Sequence, residues 1–157
     1  MELTTTIFTI LSILLLAIQI HLAAKAIRDD HDRRRSQATL EYIVRDIRLH
    51  WGDRLKDITS LFNNSVPMPP EALKLIQADA ELRSNVKRVL ASIEHMALGV
   101  NIGVFDLAVV NRSSGKNLLR IYNQFLPYIR QSQTSHPTAY KEFGEMIESM
   151  KLLRSDT

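Results

Sequence analysis

The feature that most constrains this chain is an apolar stretch near its N-terminus, residues 3–24, which carries no ionised side chain. As an α-helix, which rises about 1.5 Å per residue, it would extend roughly 33 Å and so exceed the hydrocarbon core of a bilayer, about 30 Å thick. Nearly every side chain from residue 7 to residue 16 is apolar, whereas a core helix of a small soluble protein keeps a polar stripe. We therefore predict a transmembrane anchor over residues 1–26.

A cleavable secretory signal is an alternative that the same stretch leaves open. Signals of that kind begin with a positively charged segment, but the only charged side chain before this stretch is Glu2. Ala24-Lys25-Ala26 does have the small-x-small form of a cleavage site. A buried core helix is the other alternative, and the length of the apolar run argues against it.

Basic side chains begin only where the apolar stretch ends. Those that follow it closely are Lys25, Arg28, Arg33, Arg34 and Arg35. By the positive-inside rule, the N-terminus lies outside the membrane and everything from Lys25 onward is cytoplasmic, which predicts a single-pass protein. The same residues, most of them in a basic juxtamembrane segment over residues 27–35, are expected to contact the anionic headgroups of the lipid bilayer. The absence of cysteine fits a reducing compartment.

Residues 36–157 are long enough for one ordinary domain with a core of its own, which we interpret as a helical sensor domain. All 20 Lys and Arg residues, and every acidic residue except Glu2, follow the apolar stretch. The part of the chain beyond the anchor is therefore mildly positive, and such a balance favours anionic partners without naming one.

Apolar side chains recur at three- and four-residue steps through this domain, and no segment reads convincingly as a strand. We therefore predict the all-α class, with a cytoplasmic bundle of about five to six helices behind the anchor. The first is a long amphipathic helix over residues 37–62, either continuous with the anchor or broken near residues 29–32. A short helix from Pro70 to Gln77 and a helix capped by Asp79 follow.

The second half of the domain is predicted to contain three further helices. A short one over residues 105–111, capped by Asp106, ends at a break over residues 113–115. The next is kinked or shortened by Pro127, and Pro137 opens the last. The side chains expected to face the core are Leu82, Val86, Val89, Leu90, Ile93, Met96, Ala97, Leu118, Leu119, Tyr122, Phe125, Leu126, Ile129, Tyr140, Phe143, Met146, Ile147 and Met150.

A set of spaced residues carries a resemblance to a known family. It comprises Leu90-x-x-Ile93-Glu94-x-x-Ala97-Leu98-Gly99-Val100-x-x-Gly103-Val104-x-Asp106, then Pro127-Tyr128-Ile129 and Pro137-x-Ala139-Tyr140-x-x-Phe143. With these residues the chain resembles a widespread bacterial domain-of-unknown-function family of small membrane-anchored all-helical proteins. It departs from that pattern at Ala91, where the family often has Asn, and at Tyr122, where the family's aromatic is often Trp. The resemblance implies architecture and a bacterial inner membrane, but no activity.

In size, anchor and mild basicity, the chain is also similar to the small membrane effectors of type III CRISPR systems. In those proteins a cytoplasmic helical domain binds a cyclic oligoadenylate messenger, and the bound form disturbs the membrane. The similarity implies an effector of antiviral defence, with cyclic tetra-adenylate as the first ligand to expect. We also expect a homo-oligomer, a tetramer first, because copies of one weak patch could then converge on a symmetric ligand. We expect no DNA partner.

The candidate ligand-binding residues lie in a segment without acids, since no Asp or Glu occurs between Leu107 and Lys141. Arg112, Lys116 and Arg120 recur every four residues and so share one face of a helix. The polar face of that helix, opposite its apolar side chains, is expected to hold Lys116, Arg120, Asn123 and Gln124. A helix that begins after Ser113-Ser114-Gly115 would present unpaired backbone N–H groups to a phosphate. The predicted ligand-binding residues are Arg112, Ser113, Ser114, Lys116, Asn117, Arg120 and Asn123.

Within this segment Asn111, Asn117 and Asn123 carry amides of the kind that read adenine edges. Tyr122 and Tyr128 are candidates to stack on a base, although both fit the core pattern as well. The alternative for the whole segment is an ordinary solvated face interrupted by a Ser/Gly turn.

Enzymatic chemistry is not predicted, because no nucleophile and base can be paired. A phosphate-binding loop that ended at residues 115–117 would need Gly at position 110 and Ser or Thr at position 117, but Val110 and Asn117 stand there. The histidines show no metal-ligand spacing, so we expect no metal and no cofactor. Glu94 and His95 would point about 100° apart on a helix and form no dyad. Glu94 is expected to be a buried or half-buried partner for an arginine.

Two functions remain from the sequence. The first is a membrane effector whose cytoplasmic domain binds an anionic nucleotide messenger and passes the change to the anchor. The second is a membrane-tethered helical scaffold that recruits a protein partner.

Overall fold

The computed structural model describes residues 2–45, 58 and 66–155, and all its regular structure in those ranges is helical. Five helices and no strand occur there, which confirms the predicted all-α class. The chain divides into two compact units, Met1–Arg35 and Ser36–Thr157.

Helix α1 (Glu2–Tyr42) contains the apolar stretch. Its large apolar side chains from Ile7 to Leu22 are all more than half exposed, and Phe8 reaches 70%. Among the described residues this is the one helix long and apolar enough to cross a membrane, judged by length and composition. Residues 29–32 are helical, so of the two alternatives left open by the sequence the structure has the continuous helix and not the break. Residues 46–57 and 59–62 of the predicted long helix lie outside the described residues.

Helices α2 (Pro70–Ala78) and α3 (Ala80–Asn101) begin where their caps predict. Pro70 is the first residue of α2, where its missing N–H group leaves no hydrogen bond unmade. Asp79 separates the two helices, and its Oδ1 accepts from the N–H groups of Glu81 at 2.9 Å and Leu82 at 3.0 Å. Short polar acceptors of this kind stabilise a helix start because its first N–H groups have no partner within the helix.

Helix α4 (Leu107–Ser135) is a single 29-residue helix, so the predicted break at residues 113–115 is wrong. Ser113 keeps its hydroxyl inside the helix by donating to the carbonyl oxygen of Val110 at 3.2 Å. Gly115 is buried rather than placed in a turn, and Pro127 also lies inside the helix. The apolar period that continues through Val110, Leu118 and Ile121 outweighs these weak helix formers, since tertiary packing overrides propensity.

Helix α5 (Lys141–Ser155) begins four residues later than predicted, because residues 137–140 form a turn. Tyr140, the residue before α5, adopts a left-handed backbone conformation with φ 57°. Helix α5 packs against both α3 and α4, and α2 packs against α3. The bundle core therefore lies where α3, α4 and α5 meet.

Most of the predicted core residues are buried. Those confirmed as buried are Val86, Val89, Leu90, Ile93, Met96, Ala97, Leu118, Phe125, Ile129, Phe143, Met146, Ile147 and Met150. Leu82, Leu119, Tyr122 and Tyr140 are partly buried and pack against that core.

Gln124 is the clearest exception to the predicted faces. The four-residue spacing from Arg120 places it on the polar side of α4, yet it is only 1% exposed. Its main-chain oxygen accepts from the N–H of Met68 at 2.9 Å, while no described residue pairs with its Nε2. A buried amide without a partner is costly, so the position is held by packing rather than by side-chain hydrogen bonding.

Candidate anion-binding surface

Asp106 occupies the N-terminus of α4. Its Oδ1 accepts from the N–H groups of Ala108 at 2.9 Å and Val109 at 3.3 Å, as the predicted cap requires. Its Oδ2 accepts from the hydroxyl of Ser36 at 3.0 Å, and its own N–H donates to Thr39 Oγ1 at 2.8 Å. The first N–H groups of α4 are therefore satisfied by this carboxylate. The carboxylate and the main-chain N–H of Asp106 together also fix residues 36–39 of α1 to the start of α4.

The predicted phosphate cradle does not exist at residues 113–116. Ser113, Ser114 and Lys116 lie inside α4, where backbone N–H groups are bonded along the helix. A phosphate at this place could bind through side chains only. The prediction that unpaired backbone N–H groups at Ser113 and Ser114 bind a phosphate is therefore wrong, although the basic side chains next to them remain available.

The structure brings part of the predicted set onto one exposed face. Arg112, Lys116 and Arg120 are exposed and follow one another at four-residue steps on α4, with the half-buried Asn123 in line with them. Ser114 lies on the far side of the helix, about 160° from Arg112 by helical rotation, and is half-buried. Ser113 and Asn117 are exposed and lie beside this row, since each precedes one of its basic residues, Lys116 or Arg120, by three positions.

The positive charges on this face have few acidic neighbours. No described residue forms an ion pair or hydrogen bond with the side chain of Arg112 or Lys116, and α4 itself contains no acid. Arg120 does have an interaction partner. We call the exposed face formed by Arg112, Lys116 and Arg120 the basic face of α4.

The side-chain oxygen of Asn111 is hydrogen-bonded within the protein and is therefore not open to a base. Its Oδ1 accepts from Nε of Arg154, in the last turn of α5, at 3.0 Å. Gly115, one turn further along α4, makes room for this contact, because a Cβ there would lie 2.7 Å from Arg154 Nη2. Sequence reasoning missed Arg154, since 43 residues separate it from Asn111 and no local spacing connects them.

Glu94 of α3 binds the start of α5 and not an arginine, so its predicted partner is wrong although its half-burial is confirmed. Its two carboxylate oxygens accept from the N–H groups of Glu142 at 3.1 Å and Phe143 at 2.8 Å. Burial raises the pKa of the Glu94 carboxyl above its usual value, while these two hydrogen bonds act in the opposite direction. Glu94 therefore acts as a helix cap supplied by a neighbouring helix.

The two tyrosines near this cap belong to the packed interior. Tyr128 is buried and Tyr140 is partly buried, with their ring centroids 6.5 Å apart. Burial raises the pKa of both phenols, that of Tyr140 to about 12. Tyr122 packs edge-on against Phe143, with ring centroids 5.1 Å apart. Neither Tyr122 nor Tyr128 is thus presented as an open stacking platform.

An open groove of about 480 Å³ lies between α4 and α5, away from the basic face. Tyr122, Tyr140 and Gly144 contribute to its lining, and its lysine, Lys141, pairs with Glu145 at 3.5 Å. None of the predicted ligand-binding residues lines this groove. Within residues 2–45, 58 and 66–155, no group of His, Asp and Glu side chains has the arrangement of a metal site.

The basic residues beyond the apolar stretch are described separately, within the first unit. Lys25, Arg28, Arg33 and Arg34 are exposed, and Arg35 is half-buried. Arg34 Nε forms an exposed ion pair with Asp30 Oδ2 one turn earlier, at 2.8 Å.

Comparison with known proteins gives one assignment. No curated protein and no solved structure matches the chain. Residues 5–150 match a family whose description is Domain of unknown function (DUF4760). That range includes nearly all of the apolar stretch and of the helical domain, and it agrees with the resemblance to a family of unknown function. The chain belongs to the DUF4760 family.

Proposed function

We propose that this protein is a membrane-anchored sensor whose helical bundle binds an anionic nucleotide messenger through the basic face of α4. The observation that carries the proposal is the pair of exposed cations, Arg112 and Lys116, that lack an acidic partner among the described residues on a helix without any acid. Cations that no described carboxylate neutralises are available to bind phosphate groups.

The proposed cellular arrangement follows from the apolar stretch and the charges after it. The stretch spans the inner membrane of a bacterium, its N-terminus lies outside, and the bundle lies in the cytoplasm where nucleotide messengers are made. Lys25, Arg28, Arg33, Arg34 and Arg35 contact anionic headgroups at the inner surface. The proposed response is a perturbation of the membrane in antiviral defence.

The contacts of Asp106 support a route from the basic face to α1. Helix α4 carries the basic face, and its first turn is tied to Ser36 and Thr39 of α1 through Asp106. A ligand that binds one arrangement of α4 better than another shifts the population of that arrangement, and only such a difference in affinity transmits a signal. In a homo-oligomer, for which a tetramer is our first expectation, several basic faces would share one symmetric ligand.

The test uses the full chain in phosphatidylcholine nanodiscs, titrated with cyclic tetra-adenylate by calorimetry. We expect binding and a rise in melting temperature, because a ligand that binds the folded state stabilises it by mass action. Arg112→Glu with Lys116→Glu should weaken binding by about a hundredfold or more, since hydrogen bonds to charged groups contribute about 1.5–3 kcal/mol each. Arg120 is left unchanged because it already has a partner.

The matched control is Lys87→Glu with Arg88→Glu, two exposed basic residues of α3. It alters net charge by the same amount and should leave binding within about twofold, because both residues are exposed on a different helix and salt screens exposed charges. Equal binding by both double variants would exclude the basic face. Release of a dye trapped in vesicles, measured on addition of cyclic tetra-adenylate, tests the proposed effect on the membrane. Native mass spectrometry with and without that ligand tests the oligomer.

A membrane-tethered scaffold is the second candidate, and exposed apolar residues near the turn between α3 and α4 favour it. Leu98, Ile102 and Val104 are 41%, 65% and 53% exposed. Apolar residues clustered on a surface often mark protein-binding sites. Ile102→Asp with Val104→Asp should abolish recovery of a bound protein after crosslinking if the scaffold function holds, while leaving nucleotide binding unchanged. Recovery of the same protein with the variant would exclude this surface.

A further inference from the structure

We infer that Arg154 of α5 is a further anion-binding residue at the edge of the basic face, positioned against α4 by its hydrogen bond to Asn111 and by the space that Gly115 leaves. The inference rests on the proposed function, and it extends the ligand contact from one helix to two. The chemical group that these cations would take is a phosphate or phosphodiester.

The first step is the position of the guanidinium group. Arg154 Nε donates to Asn111 Oδ1 at 3.0 Å, and Nη2 lies so close above Gly115 that a Cβ there would be 2.7 Å from it. The guanidinium of α5 is therefore fixed against the surface of α4. Since Nε is used by Asn111, both Nη groups remain as donors, and they can bind two phosphate oxygens at once.

The second step is the charge around it. Within residues 66–155 the partner of Arg154 is a neutral amide, and no described carboxylate pairs with it. The previous lysine on α5 differs, because Lys151 Nζ pairs with Glu148 Oε1 at 2.7 Å. Of these two basic residues, only Arg154 thus presents an unneutralised charge to α4.

The third step is its neighbourhood on α4. Arg112 precedes Gly115 by three residues and is therefore adjacent to it on the helix surface. Lys116 follows Arg112 by four residues on the adjoining row. Arg154, Arg112 and Lys116 thus succeed one another around α4, and three cations in that order can contact one phosphodiester segment.

Gly115→Ala should displace the guanidinium group of Arg154 without removing its charge. The added methyl group displaces the flexible ends of Arg154 and Asn111, whereas the helix itself favours alanine over glycine. We expect the variant to retain or raise the melting temperature of the unliganded protein and to weaken binding of cyclic tetra-adenylate severalfold. Arg154→Gln should weaken it by about tenfold or more, the effect of losing a charge-assisted contact. Lys151→Gln, on the same helix, is the matched control and should change it by less than about twofold.

All binding is measured with the full chain in phosphatidylcholine nanodiscs, and the ligands are cyclic tetra-adenylate, pyrophosphate and inorganic phosphate. A parallel series in nanodiscs that contain phosphatidylglycerol distinguishes a soluble phosphate from a lipid headgroup, because a headgroup would compete with the soluble ligands. If phosphatidylglycerol weakens binding of the soluble ligands, and Arg154→Gln removes that competition, the site binds lipid phosphates. If the soluble ligands bind equally well with and without phosphatidylglycerol, the site binds the messenger.

The outcomes separate the inference from the proposed function. Wild-type affinity in Arg154→Gln, together with loss of binding in the Arg112→Glu and Lys116→Glu double variant, would overturn the inference and leave the proposed function standing. Failure of every soluble phosphate and of phosphatidylglycerol to bind the wild-type protein would overturn both. Equal losses of affinity in Arg154→Gln and Lys151→Gln would show that net charge alone causes the effect, which would also contradict the inference.

Discussion

At the scale of single residues, Glu94 contributes most to joining α3 and α5. We expect Glu94→Ala to lower the free energy of unfolding by about 1–2 kcal/mol, because two N–H groups at the start of α5 lose their acceptors. Glu94→Gln should cost less, because it retains one acceptor and removes a charge whose burial is unfavourable. Denaturant unfolding of the full chain in detergent, followed by circular dichroism, measures both. His95→Ala, at the exposed neighbouring position, is the control and should stay within about 0.5 kcal/mol.

Tyr140 gives a pH dependence whose sign can be worked out. Burial raises the pKa of its phenol from 10.0 to about 12, so between these values the folded state holds a proton that the unfolded state has lost. The stabilisation is complete below pH 10 and is lost as pH rises through about 12. The difference in unfolding free energy between wild type and Tyr140→Phe should therefore fall across this range. A difference that stays constant or grows with pH would contradict the assignment.

Single residues also mark the limit of prediction from sequence. Asp79, Asp106 and Pro70 were predictable because caps act on N–H groups two or three residues away, within one local segment. Arg154 and Gly115 were not, because their contact joins positions far apart in the chain. Gln124 was misplaced because helical spacing gives a residue's angle on the helix but not how far the neighbouring elements extend around it.

At the scale of elements, the start of α4 is more than a local cap. Asp106→Ala should lower the free energy of unfolding by about 1–2 kcal/mol and also speed hydrogen exchange at residues 36–42 of α1, because the Ser36 contact is lost. Asp79→Ala, which removes only the cap of α3, is the matched control and should leave exchange in α1 unchanged. Mass spectrometry of exchanged peptides measures this. Equal exchange in α1 for both variants would show that Asp106 acts on α4 alone.

The helices themselves were predictable wherever an apolar period of three to four residues extends over several turns. The boundary errors occurred where weak helix formers suggested a stop, at residues 113–115, or where proline suggested an early start, at Pro137. In both places packing decides: α4 continues because its apolar face remains covered, and α5 begins where Glu94 supplies acceptors for its first N–H groups. Helix propensity depends on the local sequence only, so it could not predict either of these tertiary contacts.

At the scale of the whole molecule, the proposal requires the chain to reside in a membrane. We expect the full-length protein to remain in the membrane fraction after alkaline carbonate washing and to be released by detergent, whereas a chain that lacks residues 1–26 should not. Protease added to intact cells should spare the bundle, and protease added to inverted vesicles should digest it. A soluble full-length protein would exclude the anchor, and digestion of the bundle in intact cells would exclude the proposed orientation.

The Asp106 carboxylate has a consequence for how this chain can change over evolutionary time. One of its oxygens serves the first turn of α4 and the other serves Ser36, so a single mutation affects two segments 70 residues apart in sequence. Asparagine is the one replacement that keeps a strong cap and still offers a group to the serine hydroxyl. Position 106 should therefore covary with position 36 among related chains, and the hydroxyl should disappear wherever residue 106 no longer offers it a hydrogen-bond partner.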